Sequence, residues 1–199
     1  MNSQCYVAFL RGINVGRAKR IAMADLRALV EGLGYTGVRT LLNSGNVVFR
    51  AAGATAQEAA ATIEETLVLK LGVAARVFVL AHEELSTVMA ANPLVEVATD
   101  YSRLFVFLLG DAAQRDKLAA LDGQDWGCER LALSERAAYV WCPEGMLDSA
   151  AATWLGKLLG DGTTSRNWNT LVKLQALCAG GCACACMAGQ GARPLTYFT

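Results

Sequence analysis

Two arginines and six small polar side chains stand out in an otherwise aliphatic chain. Arg11 and Asn14 follow the apolar run Tyr6 to Leu10, and Asn43, Ser44 and Asn46 surround Gly45. Arg166, Asn167 and Asn169 lie in the run Ser165 to Thr170. Arginine presents a planar fork of N–H donors that matches a carboxylate or phosphate, and an asparagine amide offers donors and an acceptor on one side chain. Backbone amides around Gly12, Gly16 and Gly45 would add an anion-holding concavity. Together these residues suit a small anionic or phosphate-bearing ligand, with the arginines pairing its charge and the amides orienting it. A local reading competes: Asn, Ser and Gly also fill turns because they tolerate positive φ and hydrogen-bond their own backbone.

Other chemistries find less support. His82, the single histidine, stands beside Glu83 and Glu84 and reads as a surface residue, so no Ser-His-Asp set can be built without it. The loop from Gly12 to Arg17 lacks the Gly-Lys-Ser/Thr of a phosphate-binding P-loop and the spacing of a dinucleotide fingerprint. Glu64 and Glu65 are adjacent on a predicted helix and diverge. Cys142 reads as a core thiol without a partner base. No cofactor and no metal are expected, and whether a reaction follows binding stays open. Four of the seven cysteines, Cys178, Cys182, Cys184 and Cys186, fall in a C-x-x-x-C-x-C-x-C spacing with no nearby histidine, unlike a zinc knuckle. They read as reactive thiols at the end of a helix and in a disordered Cys/Gly/Ala-rich tail over 180–199.

The elements that must position these residues follow from hydrophobic periodicity. Gln4 to Arg11 reads as a strand, and a basic loop runs from Gly12 to Arg20. A helix follows with Met23, Leu26, Leu29, Val30 and Leu33 on one face. Val38 to Asn43 and Asn46 to Arg50 read as strands joined by the turn Ser44-Gly45. A helix over Gln57 to Leu71 and a strand over Ala75 to Leu80 complete the set. After a helix from His82 to Ala91 the order restarts: strand Leu104 to Leu109, and a helix capped by Asp111. Strands Cys128 to Leu133 and Ala137 to Cys142 follow. Then come a helix Met146 to Leu159 with Leu147, Trp154, Leu155 and Leu158 on one side, and a short strand Thr163 to Arg166. A last helix spans Asn167 to Cys178.

The same βαββαβ order therefore occurs twice at a spacing of roughly a hundred residues. The expected fold is α+β, with two ferredoxin-like units whose antiparallel sheets each carry both helices on one face. The expected division is 1–80 for the first unit, 81–99 for the connecting helix and linker, and 100–179 for the second unit with its C-terminal helix.

Composition narrows the classes of function. Among 199 residues, 54% are hydrophobic and the net charge is zero, which excludes a disordered chain and a globally basic nucleic-acid binder. Nothing resembles a signal peptide or a membrane span, so a cytoplasmic location is expected and no membrane partner. Arg11, Arg17, Lys19 and Arg20 all precede the first acidic residue, Asp25, and would form either a solvated loop or an anion-attracting rim. Stacking of bases on Tyr6, Phe9 and Phe49 would mimic an RNA-recognition sheet, but the basic-Gly-aromatic signature is missing, so nucleic acid is disfavoured as a partner.

Three segments together carry a resemblance. Tyr6 to Gly16 reads YVAFLRGINVG, Leu42 to Phe49 reads LNSGNVVF, and Ser165 to Thr170 reads SRNWNT. Their order and spacing resemble the bacterial family known as domain of unknown function 1697, over roughly Cys5 to Leu177. The resemblance implies an α+β protein of paired ferredoxin-like units and no established activity. Members often carry a Ser-Lys pair after a W-C-P-x-G turn, where this chain has Ser149-Ala150. The tail after Ala179 resembles nothing in the family.

The expected function is thus binding of a small anionic or phosphate-bearing ligand in a cleft between two α+β units, lined by Arg11, Asn14, Asn43, Ser44, Asn46, Arg166, Asn167 and Asn169. The alternatives are a protein-interaction or assembly module with an exposed sheet edge, and, less favoured, a single-stranded nucleic-acid binder. The oligomeric state is not read from the sequence.

Overall fold

Among the described residues, eight strands form two antiparallel sheets. In the first, β1 (Gln4–Arg11), β2 (Thr36–Leu41), β3 (Asn46–Ala51) and β4 (Arg76–Ala81) lie in the order β2-β3-β1-β4. In the second, β5 (Leu104–Leu109), β6 (Arg130–Leu133), β7 (Ala137–Trp141) and β8 (Thr163–Asn167) lie in the order β6-β7-β5-β8. The α-helices of the described residues are α1 (Met23–Glu31), α2 (Ala56–Thr66), α3 (His82–Ala90), α4 (Ala112–Lys117), α5 (Ala150–Leu159) and α6 (Trp168–Gly180). This computed structural model describes residues 3–14, 20–121 and 124–180. The readings made for Gly16, Arg17, Lys19 and the tail thiols Cys182, Cys184 and Cys186 lie outside those residues.

Local chemistry sets several of the boundaries. Thr55 and Glu58 form a capping box at the start of α2: the Glu58 amide donates to Thr55 Oγ1 at 3.2 Å, and the Thr55 amide donates to the Glu58 carboxylate at 2.8 Å. A π-helical turn over Leu67–Leu71 follows α2, and Gly72, at φ 61°, ends it in the left-handed region. At the start of α5, Ser149 Oγ accepts from the Ala152 amide at 3.0 Å. Glu129 caps the same end, accepting from Ser149 Oγ and from the amides of Ala150 and Ala151 at 2.7–3.0 Å. A carboxylate held there complements the positive end of the helix.

Both faces of each sheet are covered. Tyr6, Ala8 and Leu10 on β1 face α1 and α2, where Leu26, Leu29, Ile63 and Leu67 complete one core. Val7 and Phe9 face the other way, into a central layer shared with Val106 and Leu108 of β5 and Tyr139 of β7. The outer face of the second sheet packs Phe107, Ala138 and Val140 on Leu118, Leu155 and Leu159. Helices α3 and α6 fill the central layer through Leu85, Val88, Trp168, Leu171 and Leu174. Full burial of one such side chain stabilises the fold by about 1.5–3 kcal/mol, so the two helices read as connector and appendage are part of the joint. The Tyr139 hydroxyl donates to the Val88 carbonyl at 2.7 Å and ties β7 to α3.

Four further readings are corrected. Helix α5 starts at Ala150, because Ser149 and Glu129 cap it there; Leu147 is 96% exposed and Trp154 is 51% exposed, and the buried stripe is Ala151, Ala152, Leu155 and Leu159. The β2–β3 connection is the four-residue turn Leu42 to Gly45 between the paired residues Leu41 and Asn46, with Leu42 at φ 60° and Gly45 at φ 73°. Cys128 is exposed and precedes β6. His82 is half-buried, and its Nδ1 is shielded from solvent with no hydrogen-bond partner. No helix among the described residues is long and apolar enough to cross a membrane.

Candidate functional site

The end of β1, the β2–β3 turn and β8 meet at one corner of the two sheets. Asn14 takes a left-handed conformation, φ 56°, which asparagine tolerates better than most residues. Its carboxamide accepts from the Ile21 amide at 2.8 Å and donates to the carbonyls of Ile21 at 3.1 Å and Asn43 at 2.9 Å. Asn14 thus closes the loop after β1 and fastens it to the β2–β3 turn. Asn46 is fully buried; its Nδ2 donates to the Leu41 carbonyl at 2.9 Å and to Ser44 Oγ at 3.0 Å. Gly45 lies so close to β1 that an added Cβ would fall 2.6 Å from Ile13 Cδ1 and 2.8 Å from Leu10 Cβ.

Arg166 comes from β8 and enters this corner. Its Nε donates to Asn46 Oδ1 at 2.5 Å, Nη1 to Thr164 Oγ1 at 3.0 Å and the Ser165 carbonyl at 2.7 Å, and Nη2 to the carbonyls of Leu10 at 2.8 Å and Ser44 at 3.0 Å. A guanidinium has five N–H groups, and each has a protein oxygen here. Its Cζ lies 5.6 Å from the centroid of the Phe9 ring, within cation–π range. Burial pushes the pKa down to about 10, which still leaves the group charged at pH 7. Arg166 therefore bolts the second sheet to the first and presents no free donor to a ligand. Asn167 caps α6, its Oδ1 accepting from the Thr170 amide at 3.0 Å and from Thr170 Oγ1 at 2.7 Å. Asn169 is exposed on the first turn of α6.

Arg11 is differently placed. It is the cross-strand partner of Arg76 on β4, so two cations stand side by side on one face of the sheet. Like charges directly opposite destabilise a strand pair unless counter-charges relieve them. Two carboxylates do so: Asp161 lies 3.3 Å from Arg11 Nε, and Glu64 lies 3.7 Å from Arg76 Nη1. Arg11 Nη1 also donates to the Thr163 carbonyl at 2.6 Å. Glu64 is anchored, because its Oε1 accepts the Val77 amide at 2.7 Å. Asp161 is not; its side chain is 88% exposed on the Gly160–Gly162 turn. Both arginines line a cavity of about 540 Å³ with Gly12, Glu64, Val68 and Asp161. A neighbouring cavity of about 580 Å³ shares Glu64 and Arg76, and its other arginine, Arg136, already pairs with Glu84 at 3.4 Å.

Of the eight residues singled out in the sequence, Arg11, Asn14, Asn43, Ser44, Asn46 and Arg166 converge on this corner, while Asn167 and Asn169 belong to the start of α6. Sequence reasoning missed Arg76, Glu64 and Asp161. A signal existed for Arg76, a cation near the start of the strand read over Ala75 to Leu80; its alignment with Arg11 depends on register.

The fold and this corner define a class: an α+β protein of two four-stranded antiparallel sheets, locked face to face by a half-buried arginine. A family model described as Protein of unknown function (DUF1697) matches residues 3–139, which include the first two polar segments. The chain belongs to that family. In the solved structures it is similar to the conserved bacterial protein SP0830 from Streptococcus pneumoniae, with a TM-score of 0.73 and 22% identity over 89% of this chain and 99% of that one. That likeness concerns the fold. The comparison with curated proteins gave no match.

Proposed function

We propose that the chain binds a small ligand through an anionic group, phosphate or carboxylate, held between Arg11 and Arg76. The observation that carries this reading is the like-charged cross-strand pair facing a cavity of about 540 Å³, with an exposed carboxylate, Asp161, lying against it. An arriving anion would displace Asp161 from Arg11 and take over both guanidiniums, at little cost, since an exposed ion pair is worth only about 0–1 kcal/mol. Glu64, which stays paired with Arg76, and Glu65 also line the cavity, so a ligand with an amine or hydroxyls beyond its anionic group fits better than a bare polyanion. In this reading Asn14, Asn43, Ser44, Asn46 and Arg166 hold the rim in shape, and Asn167 and Asn169 belong to its supporting helix. The basic residues Arg17, Lys19 and Arg20 follow Arg11 in sequence and would raise the local concentration of anions.

We also propose that each half is a ferredoxin-like unit, which the strand orders β2-β3-β1-β4 and β6-β7-β5-β8 support, and that the protein is cytoplasmic. An assembly role remains the second reading, favoured by Val68, 50% exposed and lining the same cavity, and by its chain neighbour Leu69, 76% exposed. Calorimetric titration with inorganic phosphate and with phosphoserine separates the two. Expected is saturable binding lost in Arg11→Ala and Arg76→Ala and strengthened roughly two- to fivefold in Asp161→Ala. No binding by the wild type, together with mass that rises with concentration in light scattering, would favour assembly.

A further inference from the structure

Two thiols far apart in sequence meet on the opposite side of the central layer. Cys5 stands near the start of β1, half-buried, directly across from Arg50 on β3. Cys178 lies in the last turn of α6 and is 3% exposed. Cys5 packs against the core cluster that holds Cys178. Both thiols line one cavity of about 420 Å³ with Arg50, His82 and Glu83, so a small solute can reach them. His82, whose Nδ1 has no hydrogen-bond partner, borders this space too.

We propose that Cys5 and Cys178 form a reversible disulfide under peroxide, fastening α6 to the first strand. Cys5 is the attacking sulfur. The Cys178 S–H donates to it and the Arg50 cation stands opposite, and both hold the Cys5 thiol below its ordinary pKa, whereas that hydrogen bond and burial raise Cys178. The Cys5 thiolate attacks one oxygen of hydrogen peroxide; the O–O bond breaks, hydroxide leaves and takes up the proton that Cys5 had given to solvent, forming water, and Cys5 becomes a sulfenic acid, oxidised by two electrons. The Cys178 sulfur then attacks the Cys5 sulfur. The S–O bond breaks, hydroxide leaves and takes up the Cys178 proton as a second water, and the S–S bond remains. A thiol reductant reverses the change. The cross-link would close a loop over nearly the whole described chain, which restricts the unfolded ensemble strongly.

The test treats the full chain with stoichiometric hydrogen peroxide, blocks free thiols with N-ethylmaleimide and maps tryptic peptides. The peptide 174–199, uncut at Arg193 because Pro194 follows, also holds Cys182, Cys184 and Cys186, so the mapping is repeated in a chain carrying C182S, C184S and C186S. Expected is the peptide 1–11 joined to 174–199 in both chains, and no such species once C178S is added to the chain lacking the tail thiols. Fragment ions in the wild type should place the bond at Cys178. A Tm rise of roughly 5–15 °C, reversed by dithiothreitol, should accompany it. Should the triple variant fail to fold, the fragment ions of the wild type decide alone. A Cys5 peptide that stays alkylated, that carries sulfinic acid, or that is bonded to a tail cysteine overturns the proposal.

Discussion

Replacing Arg166 should loosen the joint between the sheets more than any other single change at the polar corner. Arg166→Ala removes five hydrogen bonds and leaves Asn46 Oδ1 and the Leu10 carbonyl without that donor. Asn46 is fully buried, so its oxygen cannot turn to water, at a cost of about 1–3 kcal/mol. The Leu10 carbonyl is part-buried and loses less, and the Ser44 carbonyl is exposed and rehydrates. The lost stem and its contact with Phe9 add a cavity, while release of a half-buried cation from its desolvation penalty offsets part of the total. The net loss should be about 2–4 kcal/mol. Arg166→Lys keeps the charge, but three donors on one nitrogen cannot span this set of acceptors, so it should recover less than half of the loss. The assay is guanidinium unfolding at pH 7 followed by tryptophan fluorescence, run as a double-mutant cycle with Asn46→Ala. A coupling of about 1–3 kcal/mol is expected for a charge-assisted hydrogen bond. A loss under about 0.5 kcal/mol for Arg166→Ala, or additivity with Asn46→Ala, would refute the clamp.

Two other changes probe the frame. Gly45→Ala should cost about 2–4 kcal/mol, since a left-handed conformation and contacts of 2.6 Å and 2.8 Å act together; Gly12→Ala, with φ +75° but nothing within 4 Å, should cost clearly less. Equal losses in chemical denaturation would remove the packing argument. The Thr55 amide and hydroxyl hold the Glu58 carboxyl below its ordinary pKa of 4.5. A carboxylate depressed in the folded state stabilises it above the unfolded pKa, and that contribution fades as pH falls through the folded value. The wild-type Tm should therefore drop below pH 4.5 more steeply than that of Glu58→Gln, and parallel curves would show that the capping box contributes nothing.

The strands and helices were legible because their hydrophobic periods are clean; β5, for instance, spans Leu104–Leu109, the residues read from the sequence. Which faces they cover was less so. The run Val7, Ala8, Phe9, Leu10 is apolar on both sides of β1, a pattern that fits burial on two faces, yet it does not say which elements cover the second. Helices α3 and α6 do, and their partners lie on four strands distant in sequence. Arg166 was legible as a residue type; two of its acceptors, the Leu10 and Ser44 carbonyls, are backbone atoms that any side chain could have carried. Arg76 was hidden because its significance comes from cross-strand register with Arg11. Spacing alone puts Leu147 and Trp154 on one helix side with Leu155 and Leu158, because the Glu129 cap that starts α5 at Ala150 comes from a separate segment.

The different assignments of the three arginines can be separated in one experiment: inorganic phosphate is titrated into the protein at pH 7 while the arginine Nε–H signals are followed by ¹H–¹⁵N NMR. Expected are saturable shifts for Arg11 and Arg76, reaching half-saturation at higher phosphate in the wild type than in Asp161→Ala, and an Arg166 signal that stays still and exchanges slowly with water. A moving, rapidly exchanging Arg166 signal beside unresponsive Arg11 and Arg76 would contradict both the clamp and the binding rim.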